Sequence, residues 1–330
     1  MIRVALFQTH KYEKDYFYEL AKKNNIEITF LEPRLNSQTA ILAKDHDAVC
    51  SFVNDKIDKE TLDILNSINI KLIALRSAGF NHVDIEYASS LNIPIVRVPY
   101  YSPSAIAEHT ACLLLSLNRK VHKAHMRVQS LNFSLDGLVG FDLEGKTVGV
   151  IGTGAIGTKF VKIMNGFGCK VLAFDLNKSK ELENYCQYVE LEELVKSSDI
   201  ISLHIPLSKD THHLLDHDML EKTKKGVILL NTSRGALIDT KALIEGLKSS
   251  HIGGAGLDVY EEEDSIFFQD LSDQILQDDV LARLLSFPNV LTTSHQAFLT
   301  KEALFQIAQT TIDNIVNYIG HGKLSNQVKL

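Results

Sequence analysis

The sequence predicts an α/β protein built as two parallel-sheet domains. Two observations carry that expectation. Residues 1–100 alternate short β-rich runs with helical patterns, and from residue 146 a second series of strand–helix units opens on a glycine-rich turn. A length of 330 residues gives each domain enough chain for its own core, and 45% hydrophobic with 23% charged residues is the balance of a globular protein.

In the first domain, strands are expected near 3–7, 27–30, 47–52, 71–75 and 93–98. The turn Arg76-Ser-Ala-Gly-Phe80 follows the fourth run. Open parallel sheets bind ligands beyond the carboxyl ends of their strands, and Gly79 lets backbone N–H groups face an anion; a plain strand-to-helix loop accounts for the same residues. Val98-Pro-Tyr-Tyr-Ser-Pro103 then breaks the pattern, because the residue before a proline is driven to extended conformation. It reads as the crossing between domains. After it, Ser104 can cap a long helix to about residue 128, striped with Ile106, Ala107, Leu113, Leu114, Leu117 and Val121. That helix is apolar on more than one side. Packing within one subunit explains such a helix, and so does burial against a second copy; a homodimer is the expectation.

The second domain begins with Val148-Gly-Val-Ile-Gly-Thr-Gly-Ala-Ile-Gly157, an apolar strand running into a turn with a helix expected after it. Gly152, Gly154 and Gly157 fit G-x-G-x-x-G: the first permits the tight turn, the second lets a pyrophosphate approach the backbone, and the third lets helix and strand pack closely. The helix N-terminus then presents free N–H groups and a positive dipole end to the phosphates. A six-residue pattern is common in isolation, so its context matters. A second strand near 170–174 ends in Asp175, eighteen residues past Gly157, where a carboxylate can accept hydrogen bonds from the ribose hydroxyls of an adenine dinucleotide. That carboxylate repels a 2′-phosphate, and no arginine stands among Leu176, Asn177 and Lys178, so the cofactor is expected to be NAD. Further strands are expected near 200–204, 227–232, 253–259 and 290–293. A last helix, about 301–319, follows them and is expected to return to the first domain. Residues 1–101 and 299–330 would then form one discontinuous domain and 102–298 the other.

A formal charge of −7 without a long basic run argues against a nucleic-acid partner. The opening residues read directly as a strand, without the layout of a signal peptide, and no apolar run approaches membrane-spanning length. The expected location is the cytoplasm. Cys50, Cys112, Cys169 and Cys186 are scattered, which fits buried reduced thiols; no metal site is expected.

Three groups stand at ends of expected strands: Arg234 in Asn231-Thr-Ser-Arg-Gly-Ala-Leu-Ile-Asp239, Glu263 in Asp258-Val-Tyr-Glu-Glu-Glu263, and His295 in Thr293-Ser-His-Gln-Ala-Phe298. Each has an ordinary reading: a structural ion pair, a solvated acidic face, one histidine among thirteen. Together they match the needs of 2-keto acid reduction. That reaction needs a cation to hold the carboxylate and polarise the carbonyl, a proton donor for the developing alkoxide, and a group that keeps the donor protonated. Arginine binds carboxylate through its planar fork, and a carboxylate beside histidine favours the charged imidazole.

These segments, with Arg76-Ser-Ala-Gly79, Asn132-Phe-Ser-Leu135 and Gln296-Ala-Phe-Leu-Thr300, resemble the D-2-hydroxyacid dehydrogenase family across essentially the whole chain, most strongly its bacterial fermentative D-lactate dehydrogenases. The resemblance implies a flavodoxin-like substrate domain with an inserted doubly wound, Rossmann-like NAD-binding domain, and dimers formed through the latter. It implies that Arg234 binds and polarises a small 2-keto acid, that His295 donates the proton, that Glu263 pairs with His295, and that hydride passes from the nicotinamide to the keto carbon of pyruvate. By the same resemblance Asp258 lies near the nicotinamide carboxamide. Ala155, Ile156, Pro206, Thr232 and Ser233 line the cofactor, as does Thr211, which replaces an asparagine common in relatives and is flanked by His212. Ala78 and Gly79 offer N–H groups to the substrate carboxylate, and Tyr101 and Phe298 flank its side chain. Two other readings stand beside this one: a dehydrogenase for a longer or different 2-keto acid such as 2-ketoisocaproate or hydroxypyruvate, and an NAD-sensing corepressor-like binding protein.

Overall fold

The computed structural model describes residues 1–329, the Ser265 side chain aside. The chain divides into two compact units, Met1–Ser102 with the residues from Leu299 onward, and Pro103–Phe298.

In the first unit, β1 (Ile2–Leu6), β2 (Ile26–Phe30), β3 (Ala48–Ser51), β4 (Leu72–Leu75) and β5 (Ile95–Val96) form a parallel sheet in the order β2-β1-β3-β4-β5. This is the flavodoxin-like order. Every residue of β3 and β4 is buried, which is why both read as unbroken apolar runs rather than alternating ones. β5 is shorter than the expected 93–98 run because Pro94 has no N–H to add to a ladder. Helices cover both faces, and two of them start on aspartates: Asp58 accepts from Thr61 N at 3.1 Å and Asp84 from Tyr87 N at 2.9 Å. The helix Lys301–Ile315 places Ala308, Ile312 and Ile315 in one cluster with Val4, Leu6 and Phe17, so the chain's last helix completes the core of its first sheet.

Beneath the sheet's carboxyl edge, Arg76 is 1% exposed. Its Nε donates to Glu13 Oε2 at 3.0 Å and its Nη2 to Glu13 Oε1 at 3.1 Å and to the Gln8 carbonyl at 2.8 Å, while its guanidinium lies 4.7 Å from the Phe52 ring centre. A fork-to-fork pair of this kind offsets the cost of removing both charges from water only while both partners are present.

In the second unit, β6 (Thr147–Ile151), β7 (Lys170–Phe174), β8 (Gln187–Tyr188), β9 (Ile200–Leu203), β10 (Val227–Asn231), β11 (Ile252–Leu257) and β12 (Val290–Thr292) form a parallel sheet ordered β12-β11-β10-β9-β6-β7-β8. Strand order reverses between β6 and β9, the doubly wound topology in which ligands bind at the switch point. The expected helix to residue 128 is in fact two, Pro103–Arg119 and Val121–Gln129, because Lys120 takes a left-handed conformation with φ of 52°. It starts at Pro103, so Ser104 lies in its first turn and is not its cap; proline, which lacks the N–H that a first turn leaves unused, suits that start. Ala107, Ala111, Leu114 and Leu117 share a core with Val148, Phe160 and Leu230, so much of the stripe packs within this unit. Val121, at 57% exposed, does not belong to it.

Among the described residues no helix is long and apolar enough to cross a membrane. All four cysteines are free, and Cys112 is exposed rather than buried.

Replacing Glu13 with Gln should destabilise the first unit by about 3–5 kcal/mol, the usual cost of leaving a buried charge without its partner. Calorimetry that found its transition unmoved would show that Arg76 is held by other means.

Candidate active site

β6 ends at Ile151, and Gly152 turns the chain with φ of +95°, a conformation that penalises any side chain. A Cβ on Gly157 would lie 1.9 Å from the Gly152 carbonyl oxygen, so the helix Ala155–Gly166 can sit this close to the strand only with glycine there. Gly154 differs. It is the N-cap residue, it is exposed, and a Cβ on it would meet nothing within 4 Å. The first N–H groups of the helix therefore face open space without a side-chain cap, which is the geometry a pyrophosphate requires. Ala155 is exposed beside Gly154, and Ile156 packs partly into the core.

Asp175, at the end of β7, accepts Thr153 N at 2.6 Å and the Thr153 hydroxyl at 3.1 Å on Oδ2, and Asn177 N at 2.8 Å on Oδ1. The carboxylate is thereby fixed beside the glycine turn, with lone pairs remaining for ribose hydroxyls. Tyr188 of β8 contributes its hydroxyl 3.0 Å from Thr153 Oγ1 and accepts from Ser179 N at 2.9 Å. Behind the turn, burial pushes the His204 imidazole down to about 3, so the ring is neutral; its Nε2 is 2.9 Å from Ser202 Oγ. The open helix terminus, the bare Gly154 and the fixed Asp175 fit an adenine dinucleotide.

The remaining expected cofactor residues lie on the loops after β9 and β10. Thr232 is buried with its hydroxyl 2.8 Å from that of Thr110, and Ser233 donates to the Leu203 carbonyl at 2.8 Å. Thr211 uses its hydroxyl within its own turn, donating to the Pro206 carbonyl at 2.8 Å and accepting from Ser208 N at 2.8 Å. Its side chain shapes the loop.

Arg234 follows β10 in extended conformation. Asn231 ties the turn together: its Nδ2 donates to the Arg234 carbonyl at 2.8 Å and its Oδ1 accepts from Ser233 N at 3.0 Å. Gly235 must be glycine, since a Cβ there would be 2.1 Å from the Tyr260 carbonyl carbon. This close approach packs the arginine turn onto the 260–261 stretch that leads to Glu263. The Arg234 guanidinium donates from Nη1 to the Ser233 carbonyl at 2.6 Å, and among the described residues no carboxylate forms an ion pair with it. It is a cation left available to an anionic ligand.

Glu263 Oε1 is 2.6 Å from His295 Nδ1, and Glu263 Oε2 accepts from Tyr260 N at 2.9 Å. The pair is largely sheltered, with side-chain exposures of 18% for His295 and 14% for Glu263. His295 itself has φ of 53°, an uncommon backbone state for a residue with a side chain. Asp258 holds it there. Fully buried, Asp258 takes Thr293 Oγ1 at 2.5 Å and Gln296 N at 2.9 Å on Oδ1 and Ala297 N at 2.8 Å on Oδ2, while its carbonyl accepts from His295 N at 2.6 Å. Burial alone would raise its pKa, but hydrogen bonds from His109, Thr293 and Ala297 hold it below the ordinary carboxylate range. The structure thus gives Asp258 the turn that presents His295. His109, whose Nε2 is 3.4 Å from Asp258 Oδ1 and 3.1 Å from Thr293 Oγ1, escaped the sequence reading because it lies 184 residues from Thr293 and carries no motif of its own.

Ala78, Gly79 and Tyr101 belong to the first unit. After β4, the Ala78 carbonyl accepts from Arg97 Nη1 at 2.7 Å and the Gly79 carbonyl from Ser77 Oγ at 2.8 Å; among the described residues neither Ala78 N nor Gly79 N donates to a protein acceptor. Tyr101 and Phe298 are both partly buried.

A doubly wound sheet with an open helix terminus at its switch point, joined to a sheltered Glu–His pair and an unpaired arginine, defines a nucleotide-dependent oxidoreductase. The family model for the NAD-binding domain of D-isomer-specific 2-hydroxyacid dehydrogenases matches residues 111–297. The chain is 49% identical over 319 residues to 2-hydroxyacid dehydrogenase homolog 1 of Schizosaccharomyces pombe, covering 96% of each sequence. It is 47% identical over 317 residues to the D-lactate dehydrogenase of Escherichia coli, again covering 96% of each. The apo-structure of D-lactate dehydrogenase from Escherichia coli superposes with a TM-score of 0.91 at 43% identity, covering 99% of this chain and all of that one. The protein belongs to the D-isomer-specific 2-hydroxyacid dehydrogenase family, and its cofactor is NAD.

Asp175→Ala should weaken NADH while easing NADPH, moving the ratio of their kcat/KM values toward NADPH by about tenfold or more, the effect of about 1.4 kcal/mol. A ratio that did not move would mean that Asp175 serves the glycine turn alone.

Proposed function

We propose that the protein is an NAD-dependent D-lactate dehydrogenase that reversibly reduces pyruvate to D-lactate. The observation that carries this reading is the 2.6 Å contact between Glu263 and His295, in a unit whose strand-end Arg234 has no carboxylate partner among the described residues. That set serves acid-assisted carbonyl reduction. It also weighs against a pure NAD-sensing role, which needs neither a proton donor nor a cation for substrate.

When bound, NADH supplies the hydride. Gly152, Gly154, Ala155, Ile156 and Gly157 would hold its pyrophosphate, Asp175 its ribose, and Pro206, Thr211, Thr232 and Ser233 would line the loops beside it. Arg234 grips the substrate carboxylate through its planar fork and draws electron density toward the carbonyl oxygen. With Nδ1 engaged by Glu263, the imidazole presents Nε2, from which the proton passes to the oxygen as negative charge develops there. Glu263 stabilises the imidazolium before transfer, and Asp258 keeps the ring's backbone in place. In the reverse direction the same nitrogen takes the proton back.

The Pro103–Phe298 unit is the NAD-binding domain in this reading, and the unit built on residues 1–102 and the last helix is the substrate domain. Within the latter, the N–H groups of Ala78 and Gly79 would receive the substrate carboxylate and Tyr101 would border its methyl group, a role that Phe298, the last residue of the NAD-binding unit, would share. The cytoplasm is the location that suits an NADH-dependent enzyme of this kind. A homodimer through the NAD-binding unit accounts for a concentration of exposed apolar side chains in one part of it: Met126 at 67%, Leu131 at 78%, Phe133 at 69%, Leu135 at 79% and Val139 at 82%.

His295→Ala should lower kcat by about 10²–10⁴-fold, the usual share of a general acid, while NADH affinity holds, and the wild type should prefer pyruvate over 2-ketoisocaproate and hydroxypyruvate and release D-lactate. Preference for the branched acid would retain the mechanism and change the substrate; unimpaired turnover in the variant would remove His295 from it. Sedimentation should give twice the chain's mass, and Phe133→Asp with Leu135→Asp should return it to one. A monomeric wild type would end the dimer proposal.

A further inference from the structure

Away from the Glu263–His295 pair, a second cluster of nitrogen and oxygen donors gathers within the same unit. His212, His213 and Glu261 each offer one ligand atom, and these atoms all lie within 4.8 Å of one another. The two imidazoles are stacked, with ring centres 3.9 Å apart and planes 29° from parallel. His213 Nε2 is 2.6 Å from Glu261 Oε1, and the other oxygen of Glu261 accepts from the Thr240 hydroxyl at 3.0 Å.

The cluster is anchored on both sides. His213 N donates to the Ala236 carbonyl at 2.8 Å and Leu215 N to the Leu237 carbonyl at 3.1 Å, which fasten the histidine turn to the segment after Arg234. Glu261 is fastened through Thr240, the first residue of the helix Thr240–Lys248. Among the described residues no lysine or arginine pairs with Glu261. His212 is exposed, and the side chains of His213 and Glu261 are 30% and 22% exposed, which leaves the donors within reach of solvent.

We propose that His212, His213 and Glu261 form a binding site for a borderline divalent cation of the Zn²⁺ class. Two neutral imidazoles and one carboxylate carry a single negative charge and present two nitrogen donors. That set favours Zn²⁺, Co²⁺, Ni²⁺ or Cu²⁺ over Mg²⁺ and Ca²⁺, which take oxygen ligands. Zn–N and Zn–O bonds of about 2.0–2.2 Å place tetrahedral ligand atoms roughly 3.4 Å apart, so the ion has to part His213 from Glu261 by under about 1 Å and draw in the exposed His212 ring. The Thr240 hydroxyl then orients the ligating carboxylate from behind, the outer-shell support that metal sites use. Water completes the fourth position.

The test is calorimetric titration of Zn²⁺ into the untagged full-length protein, wild type beside His212→Gln, Glu261→Gln and Cys112→Ser. One saturable site per chain is expected in the wild type and in Cys112→Ser, weakened by about tenfold or more in the other two. Circular dichroism and NADH binding establish that each variant is folded. A His212→Gln isotherm that overlays the wild type places the ion elsewhere and overturns the proposal; so does a wild type that shows no saturable site. This test does not depend on the lactate reading, because it reads metal binding without turnover.

Discussion

The catalytic unit depends on one buried carboxylate. Asp258 sits at the end of β11, wholly removed from solvent, and a bare charge there would be intolerable. Donors from Thr293, Gln296 and Ala297, with His109 close by, make it tolerable, and those donors come from the turn that carries His295. The requirement therefore runs both ways. The carboxylate needs the turn for its hydrogen bonds, and the turn needs the carboxylate to hold His295 at φ of 53°. Because the folded carboxylate is held below its ordinary range, its contribution is complete above that range and is lost only as pH falls through the depressed value.

Arg76 and Arg234 each come after a buried strand, and local sequence does not distinguish them. Arg76 and Arg234 both precede small residues at a strand's carboxyl end. Folding separates them. Arg76 is enclosed with Glu13, 63 residues earlier, in a fork-to-fork pair that engages its Nε and Nη2. Arg234 is held only through its backbone and one carbonyl contact, with no carboxylate at hand. A charge already neutralised is structural, and a charge without a protein partner is the one a ligand can use.

The parts of the architecture that were legible in the sequence are those set by local rules. Buried parallel strands read as apolar runs, and Gly152, Gly154 and Gly157 each answer a distinct backbone demand, so the sheets and the dinucleotide turn could be placed. Glu263 and His295, which the sequence places at the ends of two different strands, do meet, at 2.6 Å. What stayed hidden depends on contacts distant in sequence or on single backbone states. Nothing near His109 signals Asp258, and nothing in the helical pattern through Lys120 signals its left-handed turn. β8 is two residues long, too short for any periodicity to show. That the Thr211 hydroxyl closes a turn is visible only from the positions of the Pro206 carbonyl and Ser208 N–H.

Histidine shows the same principle at the level of charge. His204, His295 and His213 lie in one unit, each near the end of a strand or in the loop beyond it, yet their surroundings assign them different work. His204 faces a hydroxyl and an aromatic ring with no carboxylate, and burial keeps it neutral, so it packs. His295 and His213 each meet a carboxylate oxygen at 2.6 Å, but the neighbours differ. His295 is sheltered beside Phe268 with its backbone fixed by Asp258, which suits the proton transfer proposed for it. His213 is stacked on a second imidazole at the surface, where a proton is only one of the cations that could occupy the space between nitrogen and carboxylate. The proposed acid–base pair and the proposed metal-binding pair are therefore built from the same two residue types at the same distance, and the number of further donors facing them separates the two proposals.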